Sequence, residues 1–139
     1  KAYFGQKDAQ QLAVIKRMVR DLNIDVEIVG CPTVREPDGL AKSSRNAYLN
    51  EQERRAALVL YRSLLLAKDL LDQGERNAEA IIEAMTDHIR KEPLAKIDYV
   101  EIVDAVSLQK VNRIAEDILI AIAVFIGKTR LIDNLFYEI

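Results

Sequence analysis

The sequence is poor in the residues that make covalent or metal chemistry easy. Among 139 residues there is one cysteine and one histidine. A single thiol rules out an internal disulfide framework and fits a reducing compartment, the cytoplasm. Cys31 closes an apolar run and reads as a buried structural thiol rather than a nucleophile. His88 falls on an expected helix beside Asp87, with Glu92 four residues on. It reads as a mostly solvated helix histidine, since no His/Cys cluster with ligand spacing accompanies it. Long hydrophobic runs are lacking too: the longest, residues 118–127, is far too short to span a bilayer. Nor is there an excess of one charge. Twenty Lys and Arg against 22 Asp and Glu leave a formal net charge of −2, which gives no global pull toward nucleic acid or an anionic membrane. Any anion site must therefore come from a local cluster. Internal repeats and low-complexity tracts are absent and no signal peptide is expected; the sequence opens on "KAYFGQKD", without a methionine, as if cut from something longer.

What is present is ordinary globular composition, 50% apolar and 30% charged, at a length that suits one core or one domain plus a piece of another. In residues 8–22, Leu12, Ile15, Val19 and Leu22 recur at helical spacing behind Asp8, a good N-cap. "DVEIVGC" (25–31) reads as a strand, which makes the opening the αβ half of a parallel-sheet unit. Pro37 and Gly39 then predict an irregular polar stretch. Asn50 and Glu53 have capping-box spacing and start a helix of about six turns. Its apolar positions are Ala57, Leu60, Leu64, Ala67 and Leu71, and it stops at Gly74. A second helix runs from Asn77 through Ile81, Ile82, Met85 and Ile89 to Pro93.

The period then changes. "IDYVEIVDA" (97–105) alternates, with Ile97, Tyr99, Glu101 and Val103 on one face and Asp98, Val100, Ile102 and Asp104 on the other. Residues 118–127 read as a fully apolar strand and 129–139 as another, joined in an antiparallel hairpin around Gly127 and Lys128. The expected fold class is α+β: two helices with a three-stranded antiparallel sheet over residues 36–139, preceded by the tail of an α/β domain over residues 1–35.

Candidate chemistry is sparse. "GKT" at 127–129 lacks the glycine that a phosphate-binding P-loop needs five residues earlier, because position 122 is Ile, and a strand rather than a helix follows. The run "EQERRAA" reads as a solvated first helical turn. Two segments hold more. "FGQKD" (4–8) sets a glycine and Lys7 before a helix N-terminus, where an anion or a plain capping turn would fit. "AKSSRN" offers Lys42, Ser43, Ser44 and Arg45 as adjacent donors; phosphate contacts or a hydrophilic loop are both open.

Taken together, "FGQKDAQQL", "VGCPTVREPDGLAKSSRNAYL" and "GKTRLIDN" resemble the pantoate–β-alanine ligase (pantothenate synthetase) family, in its order and spacing and over the whole chain. The resemblance implies a Rossmann-like nucleotide-binding domain, similar to that of class I aminoacyl-tRNA synthetases, of which residues 1–35 are the last helix and strand. It implies an ATP-dependent condensation of pantoate with β-alanine through a pantoyl adenylate, with Mg2+ accompanying ATP. It places Gly5, Gln6, Lys7 and Asp8 on ATP, with Lys7 toward phosphate and Asp8 toward the ribose, and Gln11 on pantoate. Val34 supplies a backbone contact to adenine. Lys42, Ser43, Ser44 and Arg45 match a KMSKS-like loop (38–46) that closes over the phosphates. Lys42 stands where the family often carries Met or Leu, so a backbone contact survives there and a side-chain role does not follow.

No certain catalytic residue lies in this half: Lys7, Ser43, Ser44 and Arg45 act as phosphate and transition-state stabilisers. Such adenylation needs placed donors rather than a covalent nucleophile. The family's H-x-G-H segment has no counterpart here, so the chain is expected to be the C-terminal half of the enzyme and inactive alone. Nucleic-acid and membrane partners are not expected. The full enzyme is expected to be a homodimer, and the half-chain to self-associate through its first 35 residues or leave them disordered. A non-catalytic α+β interaction module derived from the family is the alternative. A different nucleotidyltransferase with the same loop is disfavoured by Gln11 and "RLIDN".

Overall fold

The computed structural model describes the backbone of residues 2–5 and 28–31, and residues 34–139 in full. The expected helix over residues 8–22, with Gln6, Lys7, Asp8 and Gln11, lies outside the described residues. Strand β1 (Ala2–Gly5) pairs in parallel with β2 (Ile28–Cys31), with Ala2 opposite Ile28 and Gly5 opposite Cys31. The sequence pattern showed β2 but missed β1, because four residues are too few for a period to register. A parallel pair needs a crossover of about a dozen residues or more, and 6–27 supply the length.

Beyond residue 34 the order is α1 (Glu51–Ala56), α2 (Leu58–Asp72), α3 (Ala78–Arg90), β3 (Ala95–Asp104), β4 (Ile118–Ile126) and β5 (Thr129–Tyr137). The three strands form one antiparallel sheet in the order β3-β4-β5. The helix expected over residues 50–73 is interrupted at Ala57. That residue keeps helical dihedrals, but the Leu60 N–H reaches back only three residues to its carbonyl, so the hydrogen-bond ladder changes step there. The expected apolar face survives the break: Ala57, Leu60, Leu64, Ala67 and Leu71 are all buried. Both helix starts lie where the capping residues put them. Asn50 accepts from the Glu53 N–H and Glu53 accepts from the Asn50 N–H, while Asn77 accepts from the Glu79 and Ala80 N–H groups.

Helices α2 and α3 cover one face of the sheet, α3 against β3 and α2 against β5. Ile118, Ile120, Ile122, Val124 and Ile126 of the central strand enter that core with Ile81, Met85 and Ile89 of α3. On the other face Leu119 is buried against Val103 and Leu108. Burial on both faces is why β4 is apolar throughout rather than alternating. Strand β3 departs from the expected alternation. The register shifts between Ile97 and Tyr99, which leaves Asp98 as an extra residue, and Ile97 packs on the helix-facing core with Val100 and Ile102 instead of sharing a face with Tyr99. The β4–β5 hairpin closes through Gly127 and Lys128, with φ of +60° at Gly127, the sign that a two-residue turn of type II′ needs at its first position.

Candidate functional site

The polar stretch expected to be irregular is built in two parts. Residues 34–42 form a tight hairpin: the Lys42 N–H donates to the Val34 carbonyl, Arg35 and Ala41 bridge, and the Glu36 N–H donates to the Leu40 carbonyl. Pro37 pre-sets the turn, the Gly39 N–H donates to the Glu36 carbonyl, and Gly39 supplies the positive φ, +102°. Polar though the stretch is, it sinks Leu40 and Ala41 into the interior. Pro37 and Gly39 thus fix a turn rather than prevent order. Asp38 at its tip is paired with Arg54 of α1 at 3.0 Å, which holds the Asp38 carboxyl below its ordinary range.

The second part is a 3-10 turn over Ser44–Tyr48. Ser43 caps it by accepting from the Arg45 N–H at 3.2 Å, and the Asn46 side-chain amide donates to the Ala41 carbonyl at 3.1 Å. Ser44 and Arg45 are exposed, and so is Lys42. Nη1 of Arg45 donates to the Arg130 carbonyl on β5 at 3.1 Å. One of five guanidinium N–H groups is thereby committed, which orients the fork and leaves others for a ligand. Between this turn and β5 lies a cleft of about 200 Å³ lined by Ser43, Arg45, Arg130, Leu131 and Ile132. Arg130 itself donates through Nε to Asp98 at 2.9 Å and sits over the Tyr99 ring at 5.8 Å. Burial pushes the Tyr99 phenol up, with the Arg130 charge opposing. Asp98, displaced by the bulge, is thus the residue that holds Arg130.

Of the expected site, the structure gathers Ser43 and Arg45 around the cleft, with Lys42 and Ser44 adjacent in the chain. Val34 sits at the base of the hairpin and is 63% exposed. Gly5 ends β1 opposite Cys31, whereas Gln6, Lys7, Asp8 and Gln11 lie outside the described residues. Sequence reasoning passed over three residues: Arg130, which lines the cleft, and the ion-paired Arg35 and Asp133. All three stand in the quoted blocks "TVREPDGLA" and "GKTRLIDN", but no local spacing pairs residues 98 positions apart. His88 also differs from the expectation of a mostly solvated histidine. It is half-buried, and its Nε2 is enclosed with no hydrogen-bond partner among the described residues. Burial, then Lys91 and Arg62, push its pKa down. Among the described residues no group of three or more His, Cys, Asp and Glu side chains could hold a metal ion, and no helix is long and apolar enough to cross a membrane.

Comparison with known proteins gives a consistent picture. A family model described as pantoate-beta-alanine ligase matches residues 1–136. Pantothenate synthetase of Clostridioides difficile strain 630 is 67% identical over 139 residues, all of this chain and 49% of that protein. The Clostridium acetobutylicum pantothenate synthetase is 64% identical, again over all of this chain and 50% of its own length. The chain thus spans about half the length of the curated relatives it matches. A crystal structure of pantothenate synthetase from Thermus thermophilus superposes with a TM-score of 0.89 at 45% identity, covering 96% of this chain and 48% of that one. A pantoate-beta-alanine ligase from Francisella tularensis, crystallised with beta-gamma ATP and beta-alanine, is 33% identical with a TM-score of 0.58, over 96% of this chain and 42% of that one.

Proposed function

The chain belongs to the pantoate–β-alanine ligase family, and from that premise we propose that it supplies the phosphate-gripping part of an AMP-forming ligase. The observation that carries this reading is the cleft where Ser43 and Arg45 face β5. In the first step a pantoate carboxylate oxygen attacks the α-phosphorus of ATP. The new P–O bond forms as the bond to the bridging oxygen breaks, and pyrophosphate leaves with the electron pair. Negative charge therefore grows on the departing phosphates, where Arg45 and the Ser43 and Ser44 hydroxyls are the donors to meet it. In the second step the β-alanine amine attacks the acyl carbon, a C–N bond replaces the C–O bond, and AMP departs while the amine gives up a proton. Neither step asks these residues for a nucleophile.

The Val34 backbone would contact adenine from the hairpin base, where its carbonyl accepts from the Lys42 N–H. Gly5, Gln6, Lys7 and Asp8 would complete the ATP site and Gln11 the pantoate site, on a Rossmann-like domain, a reading that the parallel pairing of β1 and β2 supports. We place the domain boundary near residue 36. Mg2+ would arrive on the nucleotide, held by phosphate oxygens and water. Family membership supports a cytoplasmic homodimer. Relatives twice as long support a requirement for further residues, so this chain alone is proposed to be inactive.

The test is ATP–pyrophosphate exchange with pantoate, in a full-length ligase carrying this sequence. Arg45→Ala should slow exchange by roughly 10²–10³, with Ser44→Ala milder. Exchange at the parent rate in Arg45→Ala would sink the assignment of this cleft. Turnover by the 139-residue chain alone would overturn its dependence on further residues.

A further inference from the structure

Asp133 is 3% exposed, a buried carboxylate next to the buried Asn134 on an edge strand of a sheet whose other buried side chains are apolar. It is held by a forked pair: Nη1 and Nη2 of Arg35 reach its two oxygens at 2.6 and 2.9 Å. The same guanidinium lies 4.3 Å from the centroid of the Tyr61 ring on α2, and its Nη1 also donates to the Gly39 carbonyl at 3.1 Å. One side chain thus joins β5, α2 and both arms of the hairpin. A charge this deep is tolerated only when its partner is fixed, and the flat fork, the ring and the carbonyl fix it.

The hairpin runs directly into Ser43 and Arg45, and Arg45 returns to β5 at the Arg130 carbonyl. The phosphate loop is consequently fastened to the same strand at both ends, at residues 130 and 133, by two arginines that approach from opposite ends of the loop. We infer that Arg35 and Asp133 are positioning residues for the adenylation step: they touch no substrate, and they set where Ser43, Ser44 and Arg45 stand. This rests on the phosphate-loop reading above. It differs from a merely structural role because the loop matters while pyrophosphate departs, and not while an amine attacks an adenylate already formed. Displacing donors by about an ångström costs roughly 10–100-fold in rate.

The experiment uses the full-length ligase and two readouts, ATP–pyrophosphate exchange and aminolysis of supplied pantoyl adenylate by β-alanine. Asp133→Asn keeps the shape and removes the charge; Arg35→Lys keeps the charge and removes the fork. Both should slow exchange by roughly 10–100-fold and leave aminolysis within about twofold. Ile81→Val, a core change away from the loop, controls for lost stability and should lower the melting temperature without separating the two steps. Equal loss in both steps, or no loss in exchange while Arg45→Ala still slows it, overturns the inference and leaves the phosphate-loop reading standing. If neither variant folds, the cluster is a folding element and the inference fails as well. Should Arg45→Ala leave exchange intact, the reading beneath it has failed instead.

Discussion

Gly39 lies flat against the ring of Tyr61, with no room between them for a β carbon. Its φ of +102° is in the region that L side chains avoid. Two independent constraints therefore select glycine at the same turn. Gly39→Ala should cost roughly 1–3 kcal/mol for the dihedral and a comparable amount for overpacking the ring. Chemical denaturation separates the two contributions: adding Tyr61→Leu should recover the steric part and leave the dihedral part. A Gly39→Ala protein as stable as the parent would refute both.

Asn50 and Glu53 exchange reciprocal bonds at 2.8 and 3.0 Å across the start of α1. Asn50→Ala should destabilise by about 1 kcal/mol. Because the two residues cap each other, Asn50→Ala combined with Glu53→Ala should cost less than the sum of the single changes, as measured by urea midpoints.

His88 makes stability fall on mild acidification. Burial of the imidazole, helped by Lys91 and Arg62, depresses its pKa in the folded state. Between that depressed value and the ordinary one near 6.5 the unfolded chain binds the extra proton, so stability rises with pH across this window. It is fully present above the window and lost as pH falls through it. His88→Gln should flatten that limb of a stability–pH curve; an unchanged slope would show that the limb arises elsewhere.

Asp104 governs a lower pH range. Its carboxylate accepts the Val106 and Ser107 N–H groups, each at 2.8 Å, and these backbone bonds, Ser107 first, hold its pKa below the ordinary value of 3.8. The unfolded chain is therefore protonated first as pH drops. The contribution is present above about 4 and disappears as pH falls through the depressed folded value. Asp104→Ala should remove that part of acid sensitivity and also loosen the turn that carries Leu108 at φ of +60°. Hydrogen exchange at the Val106 and Ser107 amides reports it directly, and protection equal to the parent's would contradict it.

How much of this was legible in the residues varied with the range of the signal. Capping bonds span three residues, and both helix starts were readable from Asn50 and Asn77. The bulge at Asp98 was not readable. A clean alternation through "IDYVEIV" gives no hint that Ile97 turns to join Val100 and Ile102; that follows from how β3 registers against β4. The break at Ala57 was equally silent, because an alanine with helical dihedrals leaves the apolar spacing intact. For the candidate site, the sequence showed the donors Ser43, Ser44 and Arg45 and not what fastens them.

Local chemistry by itself determined the helices, the two-residue turn at Gly127, the apolar central strand and the family, since each depends on neighbours or on a contiguous motif. Only the tertiary structure decided that "REPDGLA" is an ordered hairpin and that Arg35 meets Asp133 across 98 positions. The reason is physical: a buried ion pair needs the Arg35 fork, the Asp133 carboxylate and the Tyr61 ring brought together from separate elements, and no local spacing encodes that meeting.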